Sequence, residues 1–283
     1  MNVVMEDVSK KNKKLKILYI TILVICIVAV IAAIVLQIVK DNDGSQVPNL
    51  PQLTEDQKNQ HKEEFENIFQ NKVNYLENNS YKISKLESNK EIIYVGYENN
   101  DNKMNDYELN VHIPYINIKN DIIEEFNTQI KDIFEKKAKS ILNTQNNNVI
   151  YTVDYSAYIS NNILSLVVRS TLKEGTNPQR DIIQTYNYDL TNQKEYTIDD
   201  MLNEKGITKK EANQKIKEEI KTQQEKSEEL EKLGYTTYKR DYTSDIYSIN
   251  NVTEYFLGKD NALYIIYAYG NENNTNEMDV VIM

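Results

Sequence analysis

Cysteine, tryptophan, glycine and histidine are scarce in this sequence of 283 residues. It contains one cysteine, no tryptophan, seven glycines and two histidines. A disulfide bond within the chain needs two cysteines, and a cysteine-based zinc site needs several, so both are excluded. The glycines form no glycine-rich phosphate-binding loop, which argues against nucleotide sites of that type. We therefore expect no cofactor.

Residues that could carry catalysis are also few. His61 and His112 have no partner histidine and no metal-binding spacing, so both are predicted to be solvated or packed. Cys26 lies inside an apolar run, which excludes a Cys–His pair. Asp199-Asp200 is typical of a first helical turn and Glu218-Glu219 of a solvated helix face. Neither pair predicts a glycosidase, which needs two carboxylates about 5–10 Å apart across a cleft. We do not expect an enzyme.

Basic residues are outnumbered. The chain has 33 Lys and Arg against 43 Asp and Glu, and its formal net charge is −10. This balance argues against a nucleic-acid partner, which needs a basic face for the phosphates. Residues 1–40 hold six lysines and two acids, whereas the remainder holds 27 basic and 41 acidic residues, a net charge of −14. The acidic part would attract basic partners, although acidic charge also serves solubility alone.

The longest apolar run is ILYITILVICIVAVIAAIVL, residues 17–36. A helix of about 20 apolar residues spans the ~30 Å hydrocarbon core of a bilayer. Five lysines precede the run, so the N-terminus is predicted to be cytoplasmic and the rest extracellular. A cleaved signal peptide has a shorter apolar region, roughly 7–15 residues, followed by small residues, so an uncleaved anchor is favoured. The sequence predicts a single-pass cell-membrane protein: a tail at 1–16, a membrane helix at Ile17–Val39 and a linker at 40–53.

Beyond the linker, hydrophobic periodicity predicts an α+β fold in which antiparallel sheets pack with amphipathic helices. The predicted helices are 54–76, 120–142, a short one after Thr197, and 208–233. The predicted strands are 91–98, 106–114, 149–160, 162–172 and 180–190, with three more within 248–258, 263–270 and 278–283. The three central strands have connections too short for parallel crossovers, so they form an antiparallel meander. We divide this region into two parts, 54–190 and 191–283.

The helices are predicted to bury defined stripes of apolar side chains. For the first helix the stripe is Phe65, Ile68, Phe69, Val73 and Leu76. For the second it is Ile122, Phe126, Ile130, Ile133, Phe134, Ala138 and Ile141. The last helix is mostly charged, and its predicted anchors are Ile216, Ile220, Leu230 and Leu233.

Tyrosines recur on the predicted strands, among them Tyr151, Tyr155, Tyr186 and Tyr264. An exposed row of tyrosines could stack on sugars or contact a protein. Tyrosine is also an ordinary strand residue with an apolar body and a polar tip, so packing is the favoured interpretation.

Two loops between the later strands are longer than their hairpins require. They are Lys173–Arg180 and Gly270–Glu277, against the two to five residues usual for hairpin loops. The run Met278–Met283 after the second loop should pair within a sheet. Because long loops on a rigid frame often carry binding residues, these loops supply the candidate ligand-binding residues. The candidates are Glu174, Asn177, Gln179, Arg180, Asn271, Glu272, Asn273 and Asn274.

Four segments carry a resemblance to a known family. They are HIPYINIKNDIIEEFNTQI (112–130), VIYTVDYSAYISNNILSLVVRSTL (149–172), TYNYDLTNQKEYTIDDML (185–202) and YFLGKDNALYIIYAYGNENNTNEMDVVIM (255–283). In this order they resemble the paired extracellular domains of lysozyme-sensing anti-sigma factors and of peptidoglycan deacetylase N-terminal regions in Gram-positive bacteria. The resemblance covers roughly residues 90–283. Relatives often have a glycine- and histidine-containing loop where this chain has KEGTNPQRD (173–181).

The resemblance implies a membrane-anchored extracellular module that recognises a cell-wall-associated ligand, either a basic lysozyme-like protein or peptidoglycan. No deacetylase domain follows, so deacetylase activity is not expected, and the short predicted tail does not resemble a sigma-factor-binding domain. The alternatives are a carboxylate-dependent cell-wall enzyme and a scaffold of an envelope complex. A cleft with converging carboxylates of raised pKa would favour the enzyme.

Overall fold

Residues 53–283 are described by the computed structural model, and they form helical layers on both sides of two stacked sheets. The predicted tail, the predicted membrane helix and the predicted linker up to residue 52 lie outside the described residues. Within 53–283, no helix combines the length and apolar character needed to cross a bilayer.

The helices are α1 (Glu55–Glu64), α2 (Asp121–Ile130), α3 (Lys136–Asn143), α4 (Ile198–Glu204) and α5 (Lys209–Lys232). The strands are β1 (Lys72–Tyr75), β2 (Ile93–Lys103), β3 (Tyr107–Ile116), β4 (Val149–Ser160), β5 (Ile163–Glu174), β6 (Arg180–Asp189), β7 (Lys194–Glu195), β8 (Glu254–Leu257), β9 (Leu263–Ala268) and β10 (Met278–Ile282). A π-helical turn, Lys131–Glu135, joins α2 to α3. The fold is therefore mixed α+β, as the periodicity predicts.

The large sheet has the strand order β2-β3-β4-β5-β6-β7, and β1 also pairs with β4. The predicted meander of β4, β5 and β6 is antiparallel, and Asn161 and Asn162 turn between β4 and β5 with positive φ angles. Two pairings were not predicted: β3 and β1 each lie parallel to β4, along different halves of it. The sheet is therefore mixed rather than purely antiparallel.

The second predicted helix is confirmed as the α2–α3 segment, but its buried stripe is shifted at the start. Ile123 is 0% exposed, whereas Ile122 is 43% exposed and Ile133 38% exposed. The segment packs on one face of the large sheet, where Phe134 and Val153 belong to one core. The predicted stripe fails at Ile122 and Ile133 because each lies one position away from a residue of the buried face, Ile123 and Phe134, and so falls at the edge of that face.

The first predicted helix is correct at its start and wrong at its end. Thr54 forms a capping box with Gln57, but α1 stops at Glu64, and a 3₁₀ turn, Phe65–Asn67, follows it. Asn71 then has a φ of 54°, and the chain enters β1 instead of continuing as a helix. The backbone groups of residues 72–75 pair with β4 instead of forming helical hydrogen bonds. This pairing also satisfies backbone groups along that half of β4, which a helix could not do.

The small sheet has the order β10-β9-β8 and lies between the large sheet and α5. Ile282 and Phe256 contact the core shared with the large sheet, while Val281 and Ile265 contact the core under α5. The predicted pairing of the run 278–283 is confirmed, since β10 runs antiparallel to β9.

Helix α5 begins at the predicted capping box of Thr208 and Glu211 and ends at Lys232, before Gly234 with a φ of +91°. Ile216 and Ile220 are buried as predicted, but Leu230 and Leu233 are 46% and 74% exposed. The last turns of α5 therefore extend beyond the small sheet, and these two predicted anchors are wrong.

The tyrosines on the strands pack inside the protein. Tyr151, Tyr155 and Tyr264 are at most 3% exposed. Tyr186 is half-buried, and its ring stacks on Phe126 with centroids 4.2 Å apart. They do not form an exposed row for sugars, which agrees with the packing interpretation.

Candidate functional site

The two loops selected from the sequence, residues 173–180 and 270–277, lie against each other; we call them the loop pair. The guanidinium of Arg180, at the start of β6, donates hydrogen bonds to the carbonyl oxygens of Gly270 (2.5 Å) and Asn271 (2.9 Å). The backbone N–H of Asp181 donates to the carbonyl of Thr275 at 3.1 Å. The sequence located both loops but gave no sign of their contact, since Arg180 and Gly270 are 90 residues apart.

Asn271 extends the contact between the two loops, because its side-chain amide bonds to the backbone of β6 as a neighbouring strand would. Its side-chain oxygen accepts from the backbone N–H of Ile183 at 3.1 Å, and its side-chain nitrogen donates to the carbonyl of Ile183 at 3.2 Å. Further along β6, the Glu254 carboxylate accepts from the backbone N–H of Thr185 at 2.7 Å. The free edge of β6 is thus covered by side chains where a neighbouring strand would otherwise lie.

The loop 270–277 is held in shape by its own backbone. Asn273 N–H donates to the carbonyl of Tyr269 at 2.9 Å, and Thr275 N–H donates to the carbonyl of Asn273 at 3.1 Å. The first turn, Tyr269–Asn271, is 3₁₀-helical. The loop therefore has a defined conformation even though it is longer than a hairpin connection needs.

A buried ion pair supports the base of the same loop. Arg240, 8% exposed, donates to Asp279 at 2.7 Å and to Glu277 at 3.2 Å. Tyr269 donates its hydroxyl to the same Asp279 carboxylate at 2.5 Å, and the ring of Tyr238 stacks on Tyr269 with centroids 4.1 Å apart. Both ends of the loop are thereby fixed to buried groups.

The electrostatic environment at the foot of loop 270–277 favours the charged form of Arg240. Burial opposes the guanidinium charge of Arg240, but the hydrogen bond and charge of Asp279 keep the Arg240 pKa above its ordinary value. Burial and the adjacent Asp279 charge raise the pKa of Tyr269, so its hydroxyl stays protonated and remains a donor. The network has a structural role, since its central groups are buried.

The eight predicted site residues divide into two groups. The side chains of four already bind other groups of the protein. Arg180 and Asn271 join the loops. Glu174 pairs with Lys137 at 2.7 Å, and Gln179 donates a hydrogen bond to Asp181 at 3.2 Å. The other four are exposed: Asn177 on one loop and Glu272, Asn273 and Asn274 on the other. The exposed group forms the outer side of the loop pair.

Sequence reasoning missed several residues that position the loop pair, among them Arg240, Asp279, Gly270 and Glu254. A Cβ atom added at Gly270 would lie 1.8 Å from the carbonyl oxygen of Asp181. Glu254 lies on β8 of the small sheet, and its carboxylate binds the backbone of Thr185 in β6. A glycine at the end of a predicted strand, in a chain with only seven, is a usable signal of close backbone approach. Glu254 gave no such signal.

Among residues 53–283, burial raises the pKa of two carboxyls, those of Glu254 and Asp181. Burial raises the pKa of Glu254 to about 7, against the donors on Thr185 that lower it. Burial also raises the pKa of Asp181. Both are at most 8% exposed, and neither lines the large cleft beside α1. Within residues 53–283, no three His, Cys, Asp or Glu side chains are grouped so that they could hold a metal ion.

Comparison with known proteins found no matching family model and no matching curated protein. Among solved structures, a DUF3298 family protein from Pseudomonas aeruginosa matches with 11% identity and a TM-score of 0.39, covering 72% of this chain and 90% of that one. A DUF3298 family member from Bacteroides fragilis matches with 13% identity and a TM-score of 0.30, covering 62% and 80%. TM-scores this low support no conclusion about function, and the resemblance to lysozyme sensors and deacetylase regions stays a prediction.

Proposed function

We propose that residues 53–283 are an extracellular binding module, tethered by the membrane helix predicted at Ile17–Val39, and that the loop pair contacts a basic, lysozyme-like protein. One observation carries the proposal: Arg180 and Asn271 lock two chain-distant loops together. The exposed Asn177, Glu272, Asn273 and Asn274 therefore stand on a rigid base. Preformed surfaces bind with a smaller loss of conformational entropy than mobile loops do.

Charge supports the choice of partner. Residues 53–283 hold 27 basic and 39 acidic residues, a net charge of −12. Lysozyme-like proteins are basic, so long-range attraction would accelerate their association. Glu272 places one of these carboxylates on the exposed side of the loop pair.

Calorimetry of the full-length protein in a neutral detergent, titrated with lysozyme, tests the proposal. Charge attraction alone fades as salt shortens the Debye length from ~10 Å at 0.1 M to ~3 Å at 1 M, whereas a packed interface keeps part of its affinity. We expect saturable binding at physiological salt that the triple variant Glu272→Gln, Asn273→Ala, Asn274→Ala weakens about ten-fold or more, the loss expected from one or two good polar contacts.

The matched control is Glu229→Gln, which removes one exposed carboxylate from α5, outside the loop pair. It should leave lysozyme affinity nearly unchanged. Equal weakening by both variants would mean that net charge alone drives the association. Binding of insoluble peptidoglycan by the wild type, without any binding of lysozyme, would reject the protein partner in favour of the polymer.

A further inference from the structure

A cleft of about 490 Å³ lies beside α1, the start of α5 and the 3₁₀ turn Lys259–Asn261. Its volume is within the ~300–1,000 Å³ that small-molecule sites occupy. None of the eight loop-pair candidates lines it, so the cleft is a separate feature of the chain.

One part of the cleft is apolar. Leu53, Ile207, Ile282 and Met283 contribute to its lining. Ile282 and Met283 are only 4% and 8% exposed, so their side chains are supported by the core. This lining would contact the apolar body of a ligand.

The cations of the cleft differ in their partners. Lys58 and Lys215 both bind the Glu55 carboxylate, at 2.8 and 3.0 Å. Lys205 forms no ion pair among the described residues, and its ammonium donates to the backbone carbonyl of Asn261. Among the three lysines that line the cleft, Lys205 is therefore the one to which a ligand anion would supply an ion pair.

The surroundings of Lys205 agree with a missing counter-ion. Burial lowers the pKa of Lys205 to about 8, although the charge of Glu204 opposes that shift. The only hydrogen-bond acceptor that the ammonium of Lys205 meets within 53–283 is a neutral carbonyl oxygen, that of Asn261. A desolvated cation without an ion pair gains free energy from an anionic oxygen.

The other side chains of the cleft restrict the anion. Glu55, Glu211, Glu218 and Asp260 also line it and repel every negative charge of a ligand, so an anion with one charge is opposed less than a phosphate with two. A single carboxylate brings only one charge, and one of its oxygens can accept the charge-assisted hydrogen bond of the Lys205 ammonium.

We propose that this cleft binds a small, singly charged carboxylate with an apolar body, such as an acylated amino acid or short peptide. The carboxylate accepts a hydrogen bond from the ammonium of Lys205, and the body lies against Ile207 and Ile282. This inference does not depend on the function proposed for the loop pair.

The test uses full-length protein in neutral detergent and two probes, N-acetyl-leucine and N-acetyl-leucinamide, which share a body and differ in charge. Calorimetry should show saturable binding of the acid and about ten-fold or more weaker binding of the amide, the expected loss of a hydrogen bond to a charged group. Lys205→Met keeps the aliphatic stem and should weaken binding of the acid by a similar factor. The control Lys210→Met, an exposed lysine outside the cleft lining, should not.

A second variant keeps the test decisive if Lys205→Met folds poorly. Asn261→Asp places a carboxylate beside Lys205 at a residue with a φ of 55°, which aspartate tolerates, and it should compete with the probe and weaken its binding. Equal affinity for acid and amide would overturn the proposal. So would unchanged affinity in both variants, tighter binding of inorganic phosphate than of the acid, or no saturable binding of the acid.

Discussion

The α-carbon of Gly270 lies so close to the backbone of Asp181 that a Cβ atom there would sit 1.8 Å from the Asp181 carbonyl oxygen. Two segments far apart in the sequence meet here with no room for a side chain, next to the hydrogen bonds that Arg180 donates. The loop pair depends on this contact, so the first prediction addresses it.

Gly270→Ala should destabilise the protein by about 3 kcal/mol or more, at the upper end of overpacking losses, because the added methyl must push backbone away from backbone. Urea unfolding followed by circular dichroism measures the change. Gly206→Ala is the matched control: its φ is +64°, but no atom lies within 4 Å of the added methyl, so only left-handed strain of about 1–2 kcal/mol remains. A Gly270→Ala variant as stable as the wild type would show that the two segments separate without cost.

Asp279→Ala should cost about 3–5 kcal/mol, since it leaves the buried Arg240 guanidinium without its closest carboxylate. The control is Lys136→Ala, which removes an exposed ion pair with Asp132 and should cost only about 0.3–0.5 kcal/mol. Thermal unfolding of the two variants compares them. Similar losses would mean that water replaces Asp279 as the partner of Arg240.

Glu254 should make stability depend on pH. Burial raises its pKa to about 7 from an ordinary value of 4.5, so the folded state holds the proton more tightly than the unfolded state. Its contribution is then fully present below about pH 4.5 and is lost as the pH rises toward about 7, a change on the order of 3 kcal/mol. Glu254→Gln removes this titration and keeps an acceptor for the Thr185 N–H.

Unfolding free energies measured from pH 4 to 8 test this effect. The stability of Glu254→Gln relative to the wild type should rise across that window, while Glu229→Gln controls for the loss of a carboxyl. Parallel curves for the wild type and Glu254→Gln would contradict the burial effect.

Two neighbouring isoleucines on α2 should respond differently to truncation. Ile123→Ala should cost about 2–5 kcal/mol because it opens a cavity under the large sheet. Ile122→Ala should change stability by no more than about 0.5 kcal/mol, because the side chain is 43% exposed. Chemical denaturation distinguishes them, and a larger loss for Ile122→Ala than for Ile123→Ala would place the helix in the register that its periodicity predicts.

Local signals explain which elements were predictable. Thr54, Thr197 and Thr208 each form a capping box with the residue three positions later, and all three helix starts follow from the sequence. The turn at Asn161-Asn162 likewise identifies the hairpin of β4 and β5. These features involve residues close in sequence, so a reading of short windows can find them.

Elements that depend on distant partners were not predictable in this way. The apolar spacing from Phe65 to Leu76 continues a helical pattern, yet Val73 pairs with Ala157 in a parallel ladder. The loop pair shows the same limit: loop length located both loops, but not the guanidinium contact that joins them. Both outcomes depend on tertiary contacts that no local pattern encodes.

Helix α1 has a mechanical consequence for a tethered protein. Its contacts are with the late part of the chain: Lys62 pairs with Glu219, and His61 meets the hydroxyl of Tyr264 at 3.1 Å. If Ile17–Val39 is an anchor, tension from it enters at Leu53 and acts first on these contacts, before it reaches the ladder between β1 and β4. Resistance to pulling would then be set by how fast α1 detaches, a property of the unfolding rate rather than of equilibrium stability.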